Sequence, residues 1–152
     1  MRFEKQVTIQ APRAAVWDFL WDIARLAPCV PGCQTTATLA PYVHYRATVQ
    51  EKVGPFRVTV PLDIDILAHQ GPERLLARVR GRDSVVQSHV KVELVLALLE
   101  VDPQCTALQV QADVVILGKL GTLGHSVMIR KGEDIVDQFA LALQAELHKE
   151  RG

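Results

Sequence analysis

Hydrophobic and polar residues alternate along most of the chain up to residue 116, and this period of two is typical of strands with one buried face. The first such run extends from Arg2 to Gln10. Further runs cover residues 43–53, 56–67, 75–80, 86–98 and 108–116. Turn residues separate several of them, at Gly54-Pro55, His69 to Pro72 and Asp102 to Gln104. The pattern predicts consecutive antiparallel strands, with Pro61 indicating an edge strand or a bulge.

Two segments show helical spacing instead. Pro12 suits the first position of a helix, and Val16, Phe19, Leu20 and Ile23 then recur on one side of it. Trp17 and Trp21 flank this side, where they would complete the core or line an entrance. Pro28 and Pro31 cannot continue the helix, so Ala27 to Gln34 is predicted to be a rigid loop.

The second helical segment follows Gly118. Its apolar stripe contains Met128, Ile135, Phe139, Leu143 and Leu147. A strand, a short helix, a long run of strands and a terminal helix together predict an α+β fold. In it, a curved antiparallel sheet wraps around the C-terminal helix and encloses an apolar cavity.

Size and charge narrow the function. At 152 residues the chain is expected to form a single domain, residues 1–152. Seventeen basic and seventeen acidic residues leave no net charge, which argues against a nucleic-acid partner. The longest apolar run, Leu94 to Leu99, is far shorter than the roughly 18 residues of a spanning helix. Without a recognisable signal peptide, the protein is expected in the cytoplasm.

Candidate catalytic and metal-binding residues are sparse. Cys29, Cys33 and Cys105 lack a redox or zinc spacing and are expected to be free thiols, so neither a metal nor a cofactor is predicted. The inward register is almost entirely hydrocarbon and contains no acid–base pair, which favours a protein that is not an enzyme. Tyr45, Glu51 and His125 are the remaining weak candidates for catalysis.

A glycine-rich segment precedes the terminal helix, from Gly118 to Gly124. It does not match a phosphate-binding loop, because Asp113 stands where that motif needs glycine. Two interpretations stay open. The glycines permit a close approach of the helix start to the sheet, or Leu120 and Leu123 form an apolar lid over the cavity.

Several motifs together resemble one known family. They are Val16-Trp17-Asp18-Phe19-Leu20 with Asp22, Leu26-Ala27, Pro31-Gly32-Cys33, Lys52-Val53-Gly54-Pro55, Thr106 with Leu108, and the series Val114, Ile116, Gly118, Leu120, Leu123 and Gly124. Over most of its length the chain resembles the family of the G subunit of carbon monoxide dehydrogenase. It departs from the family pattern after Gly54-Pro55, where Phe56 to Leu62 lacks the expected aromatic and glycine residues, and in ending at Gly152 without an extra C-terminal segment.

The resemblance implies a START-like, polyketide cyclase-like (SRPBCC) helix-grip fold, with seven antiparallel strands around the C-terminal helix. It also implies an accessory role beside a molybdenum-containing dehydrogenase, with at most peripheral contact at the inner face of the membrane. The protein itself would be a monomer or a homodimer.

The leading hypothesis is non-enzymatic binding of a hydrophobic small molecule, a lipid or an isoprenoid quinone, in the cavity. The expected lining residues are Trp17, Leu26, Tyr45, Val60, Leu62, Ile64, Val79, Val92, Leu94, Val114, Ile116, Leu120, Leu123 and Phe139. One alternative is a cyclase- or dehydratase-like enzyme that uses Tyr45, Glu51 or His125. The other is an assembly or docking factor for a redox enzyme, with a filled interior.

Overall fold

A computed structural model describes residues 1–151, so that Gly152 of the predicted domain lies outside the described residues. The strands are β1 (Arg2–Ile9), β2 (Cys33–Ala40), β3 (His44–Val53), β4 (Phe56–Gln70), β5 (Arg74–Asp83), β6 (Ser88–Asp102) and β7 (Cys105–Gly118). The α-helices are α1 (Arg13–Trp21), α2 (Ile23–Leu26) and α3 (His125–Arg151). Two 3-10 helices, Ala27–Cys29 and Lys119–Leu123, follow α2 and β7.

All seven strands form one antiparallel sheet in the order β1-β7-β6-β5-β4-β3-β2. Each sequence neighbour from β2 to β7 is also a neighbour in the sheet, and β1 pairs with β7. Helix α3 crosses the concave face and contacts β1, β3 and the first 3-10 helix. The predicted α+β fold, with a curved seven-stranded sheet around a long C-terminal helix, is confirmed.

The main core lies between α1, α3 and the β1 side of the sheet. Ile9, Val16, Leu108 and Leu143 are fully buried there. Gly132 allows α3 to approach β1, because a Cβ at this position would lie 3.0 Å from the Phe3 ring. A glycine inside a helix costs about 1 kcal/mol relative to alanine, and here it gives the ring a place against the helix.

A second, smaller core lies under the Lys119–Leu123 helix. Val53, Val58, Val60, Val86 and Leu120 form it.

The turn between β5 and β6 closes this second core by means of a buried carboxylate. Asp83 accepts hydrogen bonds from the backbone N–H groups of Val86 and Thr59, both at 2.7 Å. These bonds, the one from Val86 first, hold the pKa of Asp83 below its ordinary value despite burial. Gly118 comes so close to this turn that a Cβ would overlap the carbonyl oxygen of Gln87. Gly118 therefore permits a close approach of β7 to this turn. Gly121 permits the predicted close approach of the following helix to the sheet, because a Cβ there would lie 2.9 Å from the carbonyl oxygen of Ile116.

Two sequence predictions about the strands were wrong. The predicted loop over Ala27–Gln34 contains a 3-10 helix and the start of β2, an edge strand that alternation did not reveal. Pro61 lies in β4, which is an interior strand, and the register shift in β4 falls between Ile66 and Ala68. Proline is tolerated here because the pairing of β4 with β5 begins only at the next residue, Leu62.

The convex face of the sheet carries a row of charged residues in direct cross-strand register. From β1 to β3 the row is Arg2, Asp113, Glu93, Arg78, Asp65 and His44. Within it, Arg78 Nη2 donates to Glu93 Oε1 at 3.4 Å, and His44 Nδ1 contacts Asp65 Oδ1. The convex face is therefore solvated, and ion pairs between its positive and negative residues link neighbouring strands.

Candidate functional site

A cavity of about 380 Å³ lies between the concave face of the sheet, α3 and the segment that contains α2. Strands β2 to β7 form its floor, and α3 forms its roof through Ile135, Val136 and Phe139. The remaining lining residues are Leu20, Trp21, Ile23, Leu26, Ala27, Val30, Cys33, Thr36, Tyr45, Arg46, Ala47, Val49, Leu62, Ile64, Ile66, Leu75, Ala77, Val79, Leu94, Leu96, Leu108 and Val110.

The few polar groups in this lining are mostly engaged elsewhere. Tyr45 Oη accepts a hydrogen bond from the backbone N–H of Tyr42 at 2.7 Å. The Arg46 guanidinium is directed to Asp63, with Nε 3.0 Å from Oδ1. Burial raises the pKa of the Cys33 thiol, which favours its neutral form. The interior therefore presents hydrocarbon almost everywhere, as small-molecule sites commonly do.

The mouth of the cavity lies beside the edge strand β2. Thr36 pairs with Ala47, so both side chains point to the concave side, yet Thr36 is exposed. Helix α2 faces this edge and contains no buried residue. The cavity therefore reaches solvent on the β2 side, next to α2.

Aromatic residues cluster at one end of the cavity. The Trp21 ring, which lines the cavity, lies 5.7 Å from Trp17, 4.7 Å from Tyr42 and 5.4 Å from His69, measured between ring centroids. Trp21 Nε1 is buried and has no hydrogen-bond partner within the described part of the chain. Ring contacts and packing against the main core therefore hold this indole. Both tryptophans and both tyrosines of the sequence lie in or beside this cluster, because Tyr42 is bonded to Tyr45.

An ion pair lies past the cavity along β3. Glu51 Oε1 is 2.6 Å from Lys131 Nζ on α3, and both side chains are about three-quarters buried, with 23% and 21% exposed. Val49, two residues earlier on β3, and Ile135, one turn later on α3, both line the cavity. The ion pair therefore joins β3 to α3 between the cavity and the second core.

The structure divides the predicted lining residues into two groups. Those that line the cavity are Leu26, Tyr45, Leu62, Ile64, Val79, Leu94 and Phe139. The others lie outside it. Val60 and Leu120 belong to the second core, with Ile116 and Leu123 against it, and Val92 and Val114 pack against the main core. Trp17 makes a T-shaped contact with Trp21, and it lies so close to Gly71 that a Cβ at Gly71 would be 2.6 Å from Trp17 Nε1. Leu120 and Leu123 thus cover the second core, and the lid interpretation has no support from their position.

Lining residues that the sequence did not single out come from two sources. Leu75, Ala77, Leu96, Leu108 and Val110 extend the inward registers of β5, β6 and β7, so their alternation was a usable signal. Periodicity was likewise a usable signal for Leu20 and Trp21 on or beside the apolar side of α1, Ala47 and Val49 on β3, Ile66 on β4, and Ile135 and Val136 on α3, whereas Arg46 lies in the outward register of β3. The others come from α2 and from the residues after it. Nothing in the local pattern of that segment predicts which way its side chains point.

The three weak catalytic candidates do not form a site. Tyr45 lies in the cavity wall, and Glu51, paired with Lys131, lies six residues further along β3, about 20 Å away at about 3.3 Å per residue. His125 is exposed at the first residue of α3. General acid–base catalysis requires such groups within hydrogen-bond reach of the same substrate atoms. The structure does not bring these three together.

Metal ligands are also not gathered. Among residues 1–151, no group of three or more His, Cys, Asp or Glu side chains is arranged to hold a metal ion. Cys29, Cys33 and Cys105 are free thiols. No helix within the same residues is long and apolar enough to cross a membrane.

A comparison with known protein families identifies the family to which the chain belongs. Residues 6–148 match the family described as the G subunit of carbon monoxide dehydrogenase (CoxG). The chain belongs to the CoxG family. The resemblance in the sequence motifs is thereby confirmed over nearly the whole length. A search of curated proteins found no match.

Solved structures show the same fold at low sequence identity. A conserved protein from Geobacillus kaustophilus superposes with a TM-score of 0.90 at 19% identity, over 98% of this chain and 96% of that one. A START superfamily protein from Mycobacterium smegmatis gives 0.76 at 15% identity, over 97% of both chains. The Zhui aromatase/cyclase from a Streptomyces species gives 0.64 at 17% identity, over 100% and 96%. The CoxG chain therefore has the START/SRPBCC helix-grip fold.

Proposed function

We propose that this CoxG protein binds a hydrophobic small molecule, a lipid or an isoprenoid quinone, in the cavity beneath α3 and does so without catalysis. The observation that carries the proposal is an open cavity of about 380 Å³ whose lining is hydrocarbon apart from a few engaged polar groups. This volume lies within the roughly 300–1,000 Å³ range of small-molecule sites. The membership in the CoxG family adds the expectation that the protein assists a molybdenum-containing dehydrogenase.

The size of the cavity sets the expected affinity. A ligand that buries about 300 Å² of apolar surface gains roughly 7 kcal/mol at about 25 cal/mol per Å², before the costs of ordering. A dissociation constant of 1 μM corresponds to about 8 kcal/mol. We therefore expect a dissociation constant of about 10 μM or weaker for a ligand of this size, with longer apolar ligands binding more tightly because they bury more surface.

Two alternatives receive less support from the geometry. A docking or assembly factor needs no interior space, whereas this interior is hollow. An enzyme of the cyclase type needs convergent polar groups, whereas Tyr45, Glu51 and His125 lie apart. The cavity favours the binding role over both.

Native mass spectrometry tests the proposal. Gently purified protein is expected to carry an apolar adduct that organic extraction releases, and the extracted protein is expected to take up a naphthoquinone or a fatty alcohol. Ala77 lies in the cavity floor and is 3% exposed, so Ala77→Phe places a ring in the ligand space and should abolish uptake. Extracted wild-type protein that takes up neither probe would refute the binding function.

A further inference from the structure

The second edge of the sheet, β2, differs from the first edge in its chemistry. Strand β1 carries Arg2, Glu4 and Lys5, and such charges oppose pairing with another strand. Strand β2 reads Cys-Gln-Thr-Thr-Ala-Thr-Leu-Ala over Cys33–Ala40 and contains no charged residue and no proline. Residues 34–39 are all exposed, on both faces of the strand. Because β2 is the last strand of the sheet, its outer edge has no strand partner within residues 1–151, and an uncharged edge of this kind can accept a further strand.

We propose that β2 pairs antiparallel with β2 of a second copy of this chain, so that two sheets join into one. The strand is self-complementary, because no like charges meet when it lies against its own copy. The formal net charge of the whole chain is zero, so no long-range repulsion keeps two copies apart. Leu39, Tyr42 and Val43 at the end of β2 are 50%, 50% and 56% exposed and would lose water contact in the dimer.

Such pairing has a consequence for the cavity, and this part rests on the proposed ligand-binding function. An antiparallel strand pair is related by a two-fold axis perpendicular to the sheet. Both concave faces then lie on the same side, and the two mouths beside Thr36 open towards each other across the axis. A cavity of about 380 Å³ is near the lower end of the roughly 300–1,000 Å³ range of ligand sites. A ligand tail too long for one cavity would pass into the space between the two mouths.

The contact area limits the strength of the dimer. One strand edge with a few flanking side chains falls below the roughly 1,200–2,000 Å² of a standard stable interface. The edge of β2 also has register shifts against β3, between Cys33 and Thr35 and between Thr38 and Ala40, which restrict the regular part. We therefore expect a weak, transient dimer in equilibrium with the monomer.

Sedimentation equilibrium on delipidated protein from 1 to 500 μM tests the pairing. The double variant Thr35→Lys with Ala37→Lys puts like charges on the paired edge at exposed positions, and the dissociation constant should rise at least tenfold. The matched control, Gln6→Lys with Thr8→Lys, adds the same charge at exposed positions of β1 and should leave the constant within twofold. Circular dichroism spectra check that both variants keep the wild-type fold. Wild-type protein that stays monomeric at 500 μM, or two variants that weaken association equally, would overturn the pairing.

Alcohols of two chain lengths test separately whether the two cavity mouths join in the dimer. n-Hexadecanol is expected to lower the dissociation constant of the dimer at least threefold, while n-octanol, which fits within one cavity, leaves it unchanged. Equal effects of the two alcohols would refute the shared channel, although β2 pairing would stand. If neither the alcohols nor a naphthoquinone binds while the dimer forms, the ligand-binding function is wrong and the self-association is right.

Discussion

Leucine in place of Ala77 and leucine in place of Ala11 should change the free energy of unfolding in opposite directions. Ala77 lies on β5 with its side chain in the cavity floor, between Ile66 and Leu94 on the neighbouring strands. Ala77→Leu adds three carbons that would fill empty space. At roughly 0.8 kcal/mol per buried methylene the gain is about 2.4 kcal/mol, less about 0.5–1 kcal/mol for the ordered leucine side chain. The free energy of unfolding should therefore rise by about 1–2 kcal/mol.

Ala11→Leu is the matched control. Ala11 is fully buried in the main core, away from the cavity lining, and its carbonyl oxygen accepts the hydroxyl hydrogen bond of Thr106 at 2.8 Å. No space is available there, so overpacking should lower the free energy of unfolding by about 1–3 kcal/mol. Urea denaturation of the delipidated proteins, followed by circular dichroism, measures both changes. A loss of stability in Ala77→Leu equal to that in Ala11→Leu would show that the cavity is not present in solution.

Three further predictions concern single residues. Asp83→Ala leaves the buried N–H of Val86 and the part-buried N–H of Thr59 without their acceptor and should lower the free energy of unfolding by about 2–3 kcal/mol. Since the folded-state pKa of Asp83 is depressed, this contribution exists above the ordinary value of about 3.9 and is lost as pH falls, so the variant should depend less on pH between about 5 and 2. Gly118→Ala should destabilise by more than about 3 kcal/mol, and Gly124→Ala, with a similar φ but open space, by about 1–3 kcal/mol in thermal melts. Trp21→Phe removes an unpaired donor and should change urea stability by less than about 1 kcal/mol, whereas a loss like that of Asp83→Ala would reveal a hidden bond.

Strand alternation predicted the sheet because most strands have one wet and one dry face. On β3, the inward register of Tyr45, Val49 and Glu51 was correct, and Glu51 indeed points towards α3. Its partner Lys131 could not be foreseen, because the two residues are 80 positions apart and only the docking of α3 brings them together. Long-range pairing of this kind is decided by tertiary structure.

The features that the sequence analysis missed also have local causes. Strand β2 is exposed on both faces, so it has no hydrophobic period to detect. Leu120 is apolar in either possible position, and its assignment to the second core depends on the path of the Lys119–Leu123 helix after Gly118. The boundary of the cavity, in turn, depends on α2, which is too short to show an amphipathic pattern.

The charged row on the convex face opposes sliding between strands, so the sheet forms a rigid floor for the cavity. Because side chains alternate between faces, a strand can slide only by two residues without turning its apolar side outward. Such a shift of β4 would separate Asp65 from both His44 and Arg80, and such a shift of β5 would separate Arg78 from Glu93. Under the proposed binding function, adaptation of the cavity to ligands of different shape would therefore come from the α2 segment, which contains no buried residue, while the strands keep their spacing.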